Sequence, residues 1–395
     1  MENIYQATHL KRCHFSTSLE EENILTEELE KKTDANSTRL KQYMSLPDLT
    51  HSVSSPVKAT VEIVSNIPSF KNFDIIDTPQ IISPEIVFDL FNFPKDHPAR
   101  SASDTYYVDE KHILRPHTSL MWKYYFDIPE VRRKLEKYGS VGALSYGKVY
   151  RRDEIDWQHS NILHQFDGLF VCRKDIKKIK QPDLENICYE VTHSLLGEGL
   201  KEKFLVDKFP YTDPSVEMDI AWEDKWIEVN GAGIVHPQVL KNLNIDPDIY
   251  NGWAFGFGVD RLAMLKMKLP DIRLLWSKDE RITKQLKDLN NIYKSVSKFP
   301  SVVRDISFIV DKNNFNLNAY YESVRDVIGD EYVEEVKLVD RYENEEKFGK
   351  NKTSYTFRVT YRHLERTLTN AEVNEMHEKL HSVTESQYKA QVRKV

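Results

Sequence analysis

The last hundred residues restrict the possible folds more than any other stretch of the chain. They read as a strand at 304–310 (RDISFIV), a helix at 318–329 (NAYYESVRDVIG) and a strand at 334–343 (EEVKLVDRYE). A polar turn, a strand at 353–362 (TSYTFRVTYR), a helix at 370–383 (NAEVNEMHEKLHSV) and a short segment, YKAQVRKV, follow. Period-two alternation marks the strands and a 3.6 period the helices, and the order is that of a split βαβ domain. In the third strand Tyr355, Phe357, Val359 and Tyr361 share one face, and Thr356, Arg358, Thr360 and Arg362 the other. With Lys352 and Arg366, this second face has the composition of an RNA-contacting sheet; a solvated face paired with the glutamates of 334–346 explains the same residues.

Upstream, from Val61 on, apolar alternations recur at 75–91 (IIDTPQIISPEIVFDLF), 143–150, 167–172, 217–222 and 225–231, separated by helical stretches. They predict a mainly antiparallel sheet covered by helices. One such helix has Ile187, Val191, Leu195 and Leu196 at helical spacing and ends in glycines. The periodicity loosens over 284–300, which reads as a connector. The expected organisation is a polar tail over 1–60, a first domain over 61–285, a linker at 286–298 and a second domain over 299–395. The tail carries the charge run LEEENILTEELEKK and predicts a mobile or partly helical segment rather than core. Its acidic residues weaken a targeting reading, for which only Lys11, Arg12 and the Ser/Thr cluster FSTS speak.

The widely spaced Cys13, Cys172 and Cys188 suggest neither a disulfide framework nor a cysteine zinc site, so a reducing compartment fits. No apolar run is long enough to cross a membrane. The formal charge of -7 requires any nucleic-acid site to be a local basic strip.

Two segments carry chemistry. In GKVYRRDEIDWQHSNILHQFDG (147–168), Arg151 and Arg152 end an apolar strand and a carboxylate-rich loop leads into a second. A guanidinium suits phosphate because its planar fork makes paired charge-assisted bonds, although a salt-bridged surface hairpin gives the same pattern. In GWAFGFGVDRLAMLKMKLPDIR (252–273), a glycine-bearing strand leads into a helix beginning near Asp260 and Arg261. Glycine lets a flat ligand approach the backbone, and an arginine in the first turn can meet an anion at the helix N-terminus. Neither Walker A nor GxGxxG occurs.

Together with FPKDHPAR (93–100), LRPHTS (114–119), FPYTDPSVEM (209–218) and WIEVNGAG (226–233), these segments resemble, in order, the motif series of phenylalanine-tRNA ligase catalytic domains. Residues 298–373 are similar to the ferredoxin-like anticodon-binding domain of that family. The resemblance implies an α+β protein, a class II antiparallel sheet with flanking helices plus a C-terminal ferredoxin-like βαββαβ domain. It implies that Arg151 grips the ATP α-phosphate and that Arg261 meets the distal phosphates, with Arg152 open between a similar role and a structural one.

His117, Ser119, Gln165 and Asp167 would hold the amino acid, and His159, Glu217 and Glu228 would contact ATP, Glu228 also Mg²⁺. Phe209 and Tyr211 would meet the substrate ring edge-on, and Ala254 would close its pocket. Lys352, Arg358, Arg362 and Arg366 would contact tRNA. Simpler readings remain open: a Ser/Thr helix cap at 117–119, core packing for Phe209, Tyr211 and Ala254, and salt bridges for the glutamates. Asp167 and Asn230 depart from the family pattern, and most members carry Glu at the first of these positions.

The implied activity is ATP-dependent formation of phenylalanyl adenylate and transfer to tRNA(Phe), with ATP, L-phenylalanine and tRNA(Phe) as partners and Mg²⁺ as cofactor. A single chain carrying both modules implies a monomer, and the organellar form of the family implies the mitochondrial matrix. The alternatives are an RNA-binding paralogue without catalysis, against which Arg151 and Arg261 count, and another class II ligase, against which Phe209, Tyr211 and Ala254 count.

Overall fold

Apolar alternation over the first two thirds of the chain builds a seven-stranded sheet in the computed structural model, which describes residues 16–154, 156–294 and 299–393. Its strands are β1 (Asp74–Ile75), β4 (Ser140–Tyr150), β5 (Ile162–Arg173), β6 (Glu202–Asp207), β7 (Thr212–Trp222), β8 (Lys225–Val235) and β9 (Tyr250–Gly258). The order is β1-β4-β5-β9-β8-β7-β6, antiparallel throughout except where β1 runs parallel to β4. A small ribbon joins β2 (Ile81–Ile82) to β3 (Ile113–Leu114).

The two faces of this sheet are chemically different. Phe166 and Phe170 of β5 and Trp253 and Phe255 of β9 pack with Phe70 and Phe73 into an aromatic layer. Gly168 lies under this layer, where a Cβ would come within 2.3 Å of the Phe255 ring. The opposite face receives Gln165, Asp167 and Leu169, because successive strand residues alternate. Helices Gln181–Leu196 and Val259–Met267 start and stop close to the expected positions, at Gly197 and Gly258.

Two local expectations fail. Residues 85–91 form a helical turn instead of a strand: Leu90 N–H donates to Glu85 O at 3.0 Å and Phe93 N–H to Phe88 O at 2.9 Å. Pro84 at its start and the burial of Val87, Phe88 and Phe91 on one side account for the turn. The charged stretch before residue 60 also contributes core. Helices Ser16–Lys31, Ala35–Ser45 and Pro56–Ser65 bury Leu29, Leu40, Tyr43, Val57 and Val61, whose spacing supplies a narrow apolar stripe inside a polar composition.

Buried Lys148 of β4 secures this segment by donating to the carbonyls of Tyr43, Met44 and Leu46 at the end of the second helix. Burial pushes its ammonium down to about 8. Cys13, Lys11, Arg12 and the start of the FSTS cluster lie outside the described residues, as do 295–298 of the expected linker. No helix among the described residues is long and apolar enough to cross a membrane.

The chain divides into two compact units. The first holds residues up to Tyr150, Ile162–Leu269 and Gln285–Ile292; the second holds Arg151–Asn161, Pro270–Lys284 and everything from Tyr293. In the second unit β10 (Val302–Asp311), β11 (Val333–Tyr342), β12 (Lys352–Tyr361) and β13 (Gln391–Arg393) pair antiparallel in the order β11-β12-β10-β13. With helices Leu317–Ile328 and Asn370–Tyr388 against one face, this is the ferredoxin-like arrangement.

Its core contains Phe308, Tyr320, Phe357, Val359 and Tyr361, on the face of β12 that the alternation assigns inward. The loop 151–161 belongs to this unit through paired groups. Asn161 donates to buried Glu322, Arg325 donates to Glu154 O at 3.1 Å, and Ile272 N–H donates to Trp157 O at 2.8 Å.

Candidate active site

Residues directly opposite on antiparallel strands share a face, so the β-ladder itself assembles the floor of the site. Gln165 faces Gly258, Asp167 faces Gly256 and Leu169 faces Ala254; Gly256 and Ala254 then face Gly231 and Gly233 of β8, and Gly231 faces Glu217 of β7. Three of the expected amino-acid-binding residues, Gln165, Asp167 and Ala254, therefore lie on one surface. The glycines make room for side chains of the protein as well as for a ligand. A Cβ on Gly256 would meet Asp167 Oδ1 at 2.4 Å and Gln165 Nε2 at 2.7 Å, and one on Gly231 would meet the Phe209 ring at 3.0 Å.

Fully buried Asp167 reaches the loop before helix Met121–Asp127, where Thr118 Oγ1 donates to its Oδ2 at 2.5 Å and Ser119 Oγ donates to the same oxygen at 3.1 Å. The Ser/Thr capping alternative is thereby replaced: the residue before the helix is Leu120, and no side chain caps it. Thr118, expected from the sequence only as a possible cap residue, makes the shorter of the two contacts. His117 of the same loop packs edge-on against Phe91 at 5.4 Å.

Phe91 also takes the edge of Tyr211 at 5.8 Å, and Phe209 and Tyr211 lie parallel with centroids 5.5 Å apart. Ala254 is buried in the core cluster against which Tyr211 packs. Phe91 thus joins His117 to Tyr211, and only these ring contacts, not its sequence context, reveal this.

Arg261 stands in the first turn of helix Val259–Met267, as expected, and donates to Glu228 O at 2.8 Å, with the Glu228 carboxylate 3.8 Å away. On the neighbouring strand the Glu217 carboxyl is pushed up to about 7 by burial, by the charge of Glu228, and then by Asp207 and Asp219. A cluster of acids that hold protons against one another is a place where added positive charge is favourable. Among the described residues no group of three or more His, Cys, Asp or Glu is arranged to hold a metal on its own.

Arg151, Arg152 and His159 lie on loop 151–161, which belongs to the second unit, and the ladder residues belong to the first. Arg151 N–H donates to Asn161 O at 3.0 Å and closes the loop. Asp156 organises the tip, accepting the main-chain N–H groups of Gln158 and His159 at 2.8 Å and approaching His159 Nδ1 at 2.8 Å. Burial opposes its ionisation, yet the contact with His159 keeps it below the usual carboxylate range.

In the C-terminal sheet Arg358 makes two 2.8 Å bonds to Asp305, Arg362 one of 2.8 Å to Glu334, and Arg366 lies 2.7 Å from Glu372, while Lys352 is exposed. The basic strip exists, but its arginines are already paired. The segment His377–His381 carries a HExxH spacing, familiar from zinc enzymes. Here the ring nitrogens of His377 face the Tyr361 hydroxyl at 2.8 Å and Asp305 O at 3.3 Å, so the histidine serves the core.

The sheet with its glycine-lined floor, and the motif arginine opening a helix beside it, define a class II aminoacyl-tRNA synthetase core. Residues 42–286 match the family described as tRNA synthetases class II core domain (F), and residues 297–393 match the ferredoxin-fold anticodon binding domain.

Among similar proteins is the mitochondrial phenylalanine-tRNA ligase of Mus musculus, 36% identical over 350 residues, covering 80% of this chain and 73% of the relative. Another is the chloroplastic/mitochondrial phenylalanine-tRNA ligase of Arabidopsis thaliana, 35% identical over 334 residues and covering 82% and 73%. A third is a probable mitochondrial phenylalanine-tRNA ligase of Drosophila melanogaster, 32% identical with 82% and 80% covered. The chain belongs to the single-chain, mitochondrial-type phenylalanine-tRNA ligases, and its activity is the aminoacylation of tRNA(Phe).

Proposed function

We propose that the chain activates L-phenylalanine with ATP on the ladder surface of β5, β9 and β8 and passes the phenylalanyl group to the 2′-hydroxyl of the terminal tRNA ribose. The observation that carries this reading is the convergence of Gln165, Asp167, Thr118, Ser119, Tyr211 and Ala254 around one glycine floor. The Asp167 carboxylate, held by two hydroxyls, receives the substrate ammonium, and the missing methylene relative to glutamate is offset by those hydroxyls reaching toward it. The ring enters beside Phe209 and Tyr211, with Ala254 at its end.

The substrate carboxylate attacks the α-phosphorus and pyrophosphate leaves. Arg151 stabilises the charge on the α-phosphate and Arg261 that on the leaving phosphates. Orientation and fixed positive charge supply the acceleration, and no protein nucleophile is required. The mutual repulsion at Glu217 and Glu228 fits a divalent cation, so these residues would hold Mg²⁺, which when bound neutralises and orients the phosphates.

The basic strip of Lys352, Arg358, Arg362 and Arg366 contacts tRNA by exchanging its carboxylate partners for phosphates. Catalysis is assigned to 61–285 with loop 151–161, and anticodon binding to 299–395. Both modules on one chain support a monomer, and the mitochondrial relatives support the matrix as its compartment. The test is ATP-pyrophosphate exchange with each of the twenty amino acids, then charging of tRNA(Phe). Exchange stimulated by an amino acid other than phenylalanine, and not by phenylalanine, refutes the pocket assignment.

A further inference from the structure

We propose that His164 is a positioning residue for Arg261, acting through Asp260 and thereby setting ATP affinity. The inference rests on the reading of Arg261 as a phosphate contact. His164 lies on the aromatic face of β5, completely buried, and its neighbours define which nitrogen carries the proton. Leu49 donates its main-chain N–H to Nε2 at 3.0 Å, so Nε2 is the acceptor. In the neutral ring the proton therefore sits on Nδ1, which donates to Asp260 Oδ1 at 2.9 Å.

The second oxygen of the same carboxylate accepts the main-chain N–H of His164. The Asp48 carboxylate, 3.8 Å from Nε2, is occupied by Thr50 and by the main-chain N–H of Lys148. Asp260, 2% exposed, is thus gripped at both oxygens by one residue of β5, and the next residue in the chain is Arg261. The grip fixes the first turn of helix Val259–Met267 against the strand that also carries Gln165 and Asp167. Any rotation of that turn displaces the guanidinium from its seat on Glu228 O, and a displacement of about 1 Å in a positioned group can cost about a hundredfold in rate.

Two substitutions of His164 separate the ring's functions. Asn places an amide nitrogen near the Nδ1 position and can still donate to Asp260, whereas Gln reaches the Nε2 position, can accept from Leu49 and loses the side-chain bond to Asp260 Oδ1. In the full chain His164→Gln is expected to raise KM and Kd for ATP at least about tenfold, with KM for phenylalanine within about twofold of wild type. His164→Asn should stay within about threefold for both substrates, and His164→Gln should add less than about twofold to the ATP Kd of Arg261→Ala, because it acts through that arginine.

Equal losses in the Asn and Gln variants, parallel shifts for ATP and phenylalanine, or an undiminished effect in the Arg261→Ala background would overturn the inference. A normal ATP Kd in Arg261→Ala alone would overturn the reading of Arg261 as well. A weakened Arg261→Ala beside a normal His164→Gln defeats only the positioning role. If circular dichroism shows that His164→Gln does not fold, Asp260→Asn is measured instead. It keeps one acceptor oxygen for the two His164 donors, and the same selective loss for ATP is expected.

Discussion

At the scale of single residues, Arg261 and Ala254 give the sharpest tests of the site. Among the described residues Arg261 meets a carbonyl and a carboxylate 3.8 Å away, which on the proposed reading leaves much of its charge for phosphate. Arg261→Ala should abolish measurable pyrophosphate exchange while the circular dichroism spectrum is kept; activity within about threefold of wild type, about 0.7 kcal/mol, would refute the role. Ala254 lies in the ladder between Leu169 and Gly233, and on the proposed reading its methyl closes the substrate pocket. Rejection of an added hydroxyl by an apolar pocket is limited to about a hundredfold. Ala254→Gly should therefore raise kcat/KM for tyrosine and para-chlorophenylalanine and leave phenylalanine nearly unchanged. Glycine within a strand should also cost about 0.5–1 kcal/mol of stability, read as a lower Tm. A variant that gains neither larger substrate removes Ala254 from the pocket.

Between elements, the β7–β8 pair and the C-terminal sheet each lead to a charge experiment. The Glu217 carboxyl is raised from 4.5 to about 7 in the folded protein, so between these pH values the folded state binds more protons than the unfolded one. Its contribution to stability accordingly falls as pH rises through that window. Glu217→Gln should lose less Tm than wild type between about pH 5 and 7.5; identical pH slopes would show that the acid cluster does not raise Glu217. In the C-terminal sheet, Arg358 and Arg362 already pair with Asp305 and Glu334, so on the proposed reading RNA binding would exchange one anion for another. Arg358→Glu with Arg362→Glu should weaken tRNA binding and flatten its dependence on salt, because fewer counterions are released. An unchanged slope in a filter-binding titration would place the RNA on another surface.

For the whole molecule, the informative finding is that the second compact unit includes the loop of Arg151 as well as the anticodon-binding module. A reading that assigns the module to RNA alone expects adenylate formation to survive its removal. Asn161 and Arg325 change that expectation, since the loop is bonded to helix Leu317–Ile328 through Glu322 and the Glu154 carbonyl. A chain ending before Phe299 should lose tRNA charging, and its KM for ATP should rise more than about threefold because Arg151 loses the partners of its loop. Retained charging would sink the assignment of the module, and an unaltered KM would mean that the loop holds its shape without it.

Much of this architecture was legible from local pattern, because a period of two or 3.6 directly reports which side chains share a face. The inward Tyr355, Phe357, Val359 and Tyr361, the helix that opens at Val259 and the glycine strand before it all follow from such periods. The motif series needed more, namely the resemblance of its segments to a known family.

Other features could not be read this way. The stripe of Leu29, Leu40 and Tyr43 is thin, and the contact that closes the helix carrying Leu40 and Tyr43 comes from Lys148, more than a hundred residues later. Thr118 meets Asp167, His164 meets Asp260, and Asn161 meets Glu322 across separations of 49, 96 and 161 residues. Sequence by itself determined which faces are apolar and which residue types were available for phosphate and for an aromatic ring. Tertiary structure decided which polar groups became partners, since a buried donor or acceptor must be satisfied by whatever the completed fold places beside it.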